Sequence, residues 1–110
     1  MGTRAIISVA GSKVKLFRHW DGYPEGVMPI LSRIVKEFWG IRGHEPCMFM
    51  AYMVGEFRKL NKDMLGYRLF VGKEIDDQQH EYKIKADGTI LVDGKPYATP
   101  IGDTTHRRGA

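Results

Sequence analysis

The sequence contains a single cysteine, Cys47. No intramolecular disulfide can form, and cysteines cannot supply a zinc knuckle. A chain that uses neither is expected in a reducing compartment. No apolar run reaches the ~18 residues that a membrane span needs. The start, Met1-Gly2-Thr3-Arg4, has neither the apolar stretch nor the cleavage site of a signal peptide. Together these absences predict a cytoplasmic protein. Gly2 follows Met1, but Ile6 stands where a myristoylation motif wants Ser or Thr.

Familiar catalytic signatures are missing too. Gly22 and Gly26 are four apart with no Gly-Lys-Ser/Thr after them, so they form no P-loop. No Gly-x-Gly-x-x-Gly opens a helix, and no Gly-x-Ser-x-Gly elbow is present. No His-x-x-x-His pair offers tight metal-ligand spacing. No metal and no cofactor are therefore expected. There are no internal repeats and no low-complexity segments.

What remains is an ordinary globular composition: 110 residues, 43% hydrophobic and 27% charged. One domain of this size can hold a modest core. The net charge of +4 and the pI of about 9.3 weakly favour anionic partners. The one local basic excess is His106-Arg107-Arg108. Residues 1–97 are expected to form a single domain. Residues 98–110, which lack periodicity, are expected to be a polar, mobile tail.

Arg4 to Val9 is short and β-branched, which predicts a strand. Gly11-Ser12 supplies a turn. Val14 to Trp20 returns as a second strand, with Val14, Leu16 and Trp20 on one face and Lys13, Lys15 and His19 on the other. A loop over Asp21–Gly26 follows, rich in Gly and Pro. Pro29 is placed in the first turn of a helix. Ile30, Leu31, Ile34, Val35, Phe38 and Trp39 form its apolar stripe, and Gly40 ends it. Pro46 opens a second helix that stops near Asn61. From Cys47 to Val54 this helix is apolar nearly all round, which predicts burial between layers and an inert, buried Cys47 thiol. Tyr67 to Val71 is a third strand, and Lys73 to His80 a polar loop. Glu81 to Ala86 and Thr89 to Val92 are strands joined at Asp87-Gly88, and Asp93-Gly94 turns again. The order β-β-α-α-β-β-β predicts an α+β, two-layer sandwich: a mainly antiparallel sheet with both helices on one face.

The densest chemistry is His19-Trp20-Asp21-Gly22-Tyr23-Pro24-Glu25-Gly26. Eight residues bring together an imidazole, two carboxylates, a phenol and an indole. The block lies between a strand end and a helix start, where unpaired N–H groups attract anions. If the strand continues, His19 and Asp21 point the same way, and Asp21 can set the tautomer of a His19 base. The alternative is that both residues merely cap the turn. Trp20 and Tyr23 can stack on a base or pack as a lid. Arg4 and Arg18, on neighbouring strands, can clamp a phosphate or pair with Asp21 and Glu25. A metal held by His19, Asp21 and Glu25, joined by His44 or His80, is a weaker alternative.

The opening Thr3-Arg4 and the His19–Gly26 block resemble a family of small uncharacterised proteins of bacteriophages, prophages and bacteria. Its members open with a Thr-Arg pair and carry a His-Trp-Asp-Gly-Tyr block after the first hairpin. The resemblance covers roughly the first quarter of the chain. It implies a phage or mobile-element setting and an important loop, and brings no activity with it.

Three functions are consistent with these residues. The first is an accessory protein binding an anionic ligand, a nucleotide or nucleic acid, through Arg4, Arg18, His19, Trp20, Asp21, Tyr23 and Glu25. The second is a protein–protein module or inhibitor. It would use the methionine-rich helix (Met48, Met50, Met53, with Met64 nearby) against a host protein or a second copy. The third is a small phosphodiester hydrolase, with His19 as base and Asp21 as its orienter.

Overall fold

The computed structural model describes residues 3–19, 22–60, 66–72 and 79–96. Trp20, Asp21, Met64, most of the expected 73–80 loop and the 98–110 tail lie outside the described residues. The elements are β1 (Ala5–Val9), β2 (Val14–Arg18), α1 (Pro24–Ile41), α2 (Pro46–Leu60), β3 (Tyr67–Val71), β4 (His80–Ile84), β5 (Ile90–Val92) and β6 (Lys95–Pro96). They form a six-stranded sheet of order β3-β2-β1-β4-β5-β6 with both helices on one side. The α+β sandwich read from the sequence is the observed architecture.

Four of the five strand pairings are antiparallel, and β1–β4 is parallel. The parallel pair places β1 at the centre, where all five of its residues are buried. A strand buried on both faces reads as a continuous apolar run, which Ala-Ile-Ile-Ser-Val nearly is. Ala5, Ile7 and Val9 meet Leu16, Tyr82, Ile84 and Ile90 in the core beneath the helices. Ile6 and Phe17 are also buried but lie outside that cluster, on the opposite face.

The turns follow local chemistry. Gly11 takes φ +94° in the β1–β2 turn, where the Ser12 N–H donates to the Val9 carbonyl at 3.1 Å. A Cβ there would lie 2.8 Å from Pro46 Cγ, so Gly11 also lets α2 begin against the hairpin. Asp93 and Gly94, at φ 54° and 87°, form the two-residue β5–β6 turn. Positive φ at both positions matches the twist of the flanking strands.

Three expectations are corrected. First, α1 begins at Pro24 rather than near Pro29. Tyr23 is its extended N-cap, and the Tyr23 carbonyl accepts from the Gly26 and Val27 N–H groups at 2.9 and 3.0 Å. Pro24 can supply the first helical residue because that position needs no N–H donor. Residues 24–26, expected as loop, are therefore helical, and Pro29 sits inside the helix. Second, α1 runs through Gly40 to Ile41, and the left-handed residue that ends it is Gly43 at φ +74°. The Gly43 N–H closes on the Trp39 carbonyl at 3.1 Å.

Third, α2 is not buried all round. Phe49, Met50, Met53 and Phe57 face the core, while Cys47, Met48, Ala51 and Gly55 are exposed. A helix against one sheet can bury only one face, and the 3.6-residue repeat turns Cys47 and Met48 away from it. The Cys47 thiol is exposed, not buried. Among the described residues, no helix is long and apolar enough to cross a membrane.

The helices are clamped to each other by polar contacts. Arg33 bridges Glu37 and Glu56, both at 3.1 Å, and Lys59 reaches Glu56 at 2.9 Å. The Tyr52 hydroxyl donates to Glu37 at 2.8 Å, which holds the phenol in its neutral form and raises its pKa. Trp39 Nε1–H donates to the Ala86 carbonyl at 2.9 Å, tying α1 to the β4–β5 turn.

Candidate functional site

The structure separates the described residues of the His19–Gly26 block and its flanking arginines. Arg18 is 6% exposed and turns toward the helices. Its guanidinium carbon lies 5.1 Å from the Phe57 ring centroid and 5.9 Å from that of Tyr67. That is cation–π distance to two aromatic side chains. His19, the next residue, projects to the opposite face because strand side chains alternate. Its ring meets Phe17 edge-on at 4.7 Å. Arg4 lies at the start of β1, where its N–H donates to Gln79 Oε1 and its carbonyl accepts from the Gln79 and His80 N–H groups.

Gly22 is the anchor of the block. Its N–H donates to the Thr3 carbonyl at 2.8 Å, and its carbonyl accepts from the Tyr82 hydroxyl at 2.6 Å. A Cβ on Gly22 would lie 2.7 Å from both Ala5 Cβ and the Thr3 oxygen, so only glycine fits without movement. Tyr23 caps α1 through its backbone and is 40% exposed. Glu25, in the first turn, is exposed and complements the positive end of the helix. Arg18, His19, Tyr23 and Glu25 thus occupy different surroundings.

The two distant histidines weighed as metal ligands are engaged separately. His44 Nε2 lies 2.6 Å from the Ala10 carbonyl. His80 Nδ1 lies 2.9 Å from Asp93 Oδ2, while Asp93 Oδ1 accepts the Glu81 N–H at 2.8 Å. Among the described residues, no three His, Cys, Asp or Glu side chains are grouped to hold a metal ion.

The helix-free face of the sheet carries a different constellation. Alternation and register place Ile6 and Ser8 of β1, Lys15 and Phe17 of β2, and Arg68 and Phe70 of β3 on it, with Glu81 and Lys83 of β4 and Leu91 of β5. Phe17, 2% exposed, forms part of its floor. Arg68 lies over the Phe17 ring, with its guanidinium carbon 5.7 Å from the centroid. His19 and Phe70 are half-buried on either side of the Phe17–Arg68 pair along the β2–β3 ladder.

An open cavity of about 270 Å³ is sunk into this face, lined by Ser8, Val9, Ala10, Gly11, Ser12, Lys15, Glu81 and Lys83. A smaller hollow of about 130 Å³ shares Glu81 and Lys83 and continues to Leu91 and Gly94. The cavity offers two ammonium groups, two hydroxyls and one carboxylate. Ser12 Oγ is partly committed, accepting from the Val14 N–H at 3.1 Å and donating to its carbonyl at 3.2 Å. Two cations against one anion leave local charge suited to an anionic ligand.

Sequence reading named none of Lys15, Arg68, Phe70 or Lys83 as site residues. The alternation that sets Lys15 and His19 on one face of their strand was visible, as was that of Lys83 in its own strand. The missing information was adjacency: the parallel β1–β4 pair brings Lys83 opposite Ser8.

No protein-family model matches this chain, and no curated protein or solved structure matches it.

Proposed function

We propose that this protein binds an anionic ligand, a nucleotide or a single-stranded nucleic-acid segment, on the helix-free face of its sheet. The observation that supports this reading is the cavity where Lys15 and Lys83, from strands distant in sequence, converge beside Ser8 and Ser12. Phosphate neutralisation by the lysines supplies affinity, and ring surfaces of Phe70 and His19 supply stacking for bases. Arg68 extends the positive charge toward the β3 edge. Among the described residues of the His19–Gly26 block, His19 lies on this face; Gly22, like the neighbouring Arg18, supports the scaffold. The likeness of that block to phage and bacterial proteins gives the setting: an accessory protein of a phage or mobile element, acting in the host cytoplasm.

Fluorescence anisotropy with a labelled single-stranded oligonucleotide, measured across a salt series, tests this. The wild-type chain is expected to bind more weakly as salt rises. Lys15→Ala and Lys83→Ala should each weaken binding and reduce the slope of log affinity against log salt by about 0.7. Lys36→Ala, on the wet side of α1, should leave both unchanged. Binding that is equal in Lys15→Glu/Lys83→Glu and wild type would remove the face from consideration.

A further inference from the structure

The cavity and the smaller hollow of the helix-free face meet at Glu81 and Lys83, which line both. These residues share one face of β4 and stand about 6.6 Å apart along the strand. Register fixes what lies beside them. Lys83 has Ser8 on one side and Leu91 on the other. The β1–β2 register, carried on by one residue, sets Lys15 beyond Ser8. Neighbouring strands lie about 4.8 Å apart, so both lysine side chains can reach the space over Ser8.

Glu81 is held by its main chain. Its N–H donates to Asp93 Oδ1 at 2.8 Å, and its carbonyl accepts from the Asp93 N–H at 2.7 Å. Asp93 belongs to the turn that supplies Gly94 to the hollow. The carboxylate therefore extends from a fixed point between the two depressions. Among the described residues, no hydrogen bond or ion pair ties the head groups of Lys15, Lys83 and Glu81 to one another.

The two ammonium groups attract a phosphate, whereas the Glu81 carboxylate repels one. An ionised carboxylate only accepts hydrogen bonds. It favours an anionic ligand where that ligand also brings a donor. In a nucleotide the donors next to the phosphate are the sugar hydroxyls. The 2′-hydroxyl is present in RNA and missing from DNA. A carboxylate accepts from a ribose hydroxyl in dinucleotide-binding folds, so the pairing is chemically sound.

We infer that the cavity and the hollow form one site for a ribonucleotide unit. Its phosphate lies between Lys15 and Lys83, its 2′-hydroxyl donates to Glu81, and its base covers Leu91. Gly94 puts no side chain over that part of the site. The inference rests on the anionic-ligand reading above and adds a choice of sugar to it. A deoxy ligand leaves the carboxylate facing phosphate charge with no donor in return. Selection thus works by repulsion as well as attraction.

The test is fluorescence anisotropy of the full chain with a labelled oligouridylate and its 2′-deoxy counterpart, at one salt concentration. Uracil has no exocyclic amine, so the base offers Glu81 no such donor in either ligand. The ribo form is expected to bind at least about tenfold more tightly, the effect of a hydrogen bond to a charged acceptor. Glu81→Ala, which truncates an exposed side chain, should abolish that preference. It should also bind the deoxy form more tightly than the wild type does, because a like charge is gone. A merely structural role would instead weaken both. Lys83→Ala should weaken both forms and keep their ratio. Competition with uridine monophosphate tells a free nucleotide from a strand. Displacement at concentrations similar to those of unlabelled oligouridylate assigns the former, and displacement by the oligonucleotide alone assigns the latter. Equal binding of the two sugars, still dependent on Lys83, overturns this inference and leaves the anionic-ligand reading standing. A sugar preference that survives in Glu81→Ala overturns it too. Binding of neither oligonucleotide overturns both readings.

Discussion

The Tyr82 hydroxyl, on a side chain with no exposed surface, donates a 2.6 Å hydrogen bond to the carbonyl of Gly22, sixty residues away in the chain. The Gly22 N–H closes on Thr3 at 2.8 Å. The connection from β2 to α1 is thereby pinned between the start of β1 and the middle of β4. The most chemically varied stretch of the sequence is held at its centre by scaffold contacts.

Tyr82→Phe should destabilise the protein by about 1–3 kcal/mol, because it strips a buried carbonyl of its donor while keeping the ring. Urea denaturation is the measurement. A lower midpoint with an unchanged slope is expected. An unchanged midpoint would show that the bond contributes nothing net.

Gly22→Ala should cost about 1–3 kcal/mol, since its new Cβ would press on the Ala5 side chain and on the Thr3 backbone. The damage acts through the same contacts that Tyr82 completes. A double-mutant cycle with Tyr82→Phe should therefore be non-additive. Strict additivity would mean that Gly22 and Tyr82 act independently.

Pro29→Ala should stabilise the protein by about 1–3 kcal/mol. Pro29 is exposed and lies inside α1, where it removes a donor to the Glu25 carbonyl and crowds it. Thermal unfolding by circular dichroism would show a higher midpoint. A lower one would mean that the proline is needed to shape the helix.

Acidification should weaken the α1–α2 clamp. The hydrogen bond from Lys59, then that from Arg33, holds the Glu56 carboxyl below its ordinary value of 4.5. A depressed carboxylate contributes stability that is fully present above that ordinary value. The contribution is lost as pH falls through the folded-state value. Both partners are partly exposed, so the effect is modest and screened by salt. In denaturation curves between about pH 5 and pH 3, Glu56→Gln should flatten the acid slope relative to wild type. Identical slopes would assign the acid sensitivity to other carboxylates.

Much of the architecture was legible in the sequence. The strand at Tyr67–Val71 has its expected bounds, and the hairpin at Asp87-Gly88 and the turn at Asp93-Gly94 fall where expected, with Gly88 at φ +91°. The boundaries of α1 were less so. Pro24 and Pro29 are both able to open a helix, as are Gly40 and Gly43 to end one. Only the packing of Val27 and Met28 beneath the sheet extends the helix back to Pro24. Composition singled out the His19–Gly26 block because chemical variety is visible in a string, whereas the burial of Arg18 and Gly22 is not.

Periodicity alone decided which residues of each element share a face. Repeats of two and 3.6 residues are properties of the backbone, so Lys15 parts from Leu16, and Met48 from Met53, whatever lies nearby. The fold class followed from the order of those elements. Tertiary structure alone decided which strands are neighbours. The parallel β1–β4 pair, held by burying β1 on both faces, carries Lys83 to the cavity of Lys15 and sets β3 at one end of the strand order. Long-range pairing depends on burial summed over the whole sheet, and no local stretch of sequence records that sum.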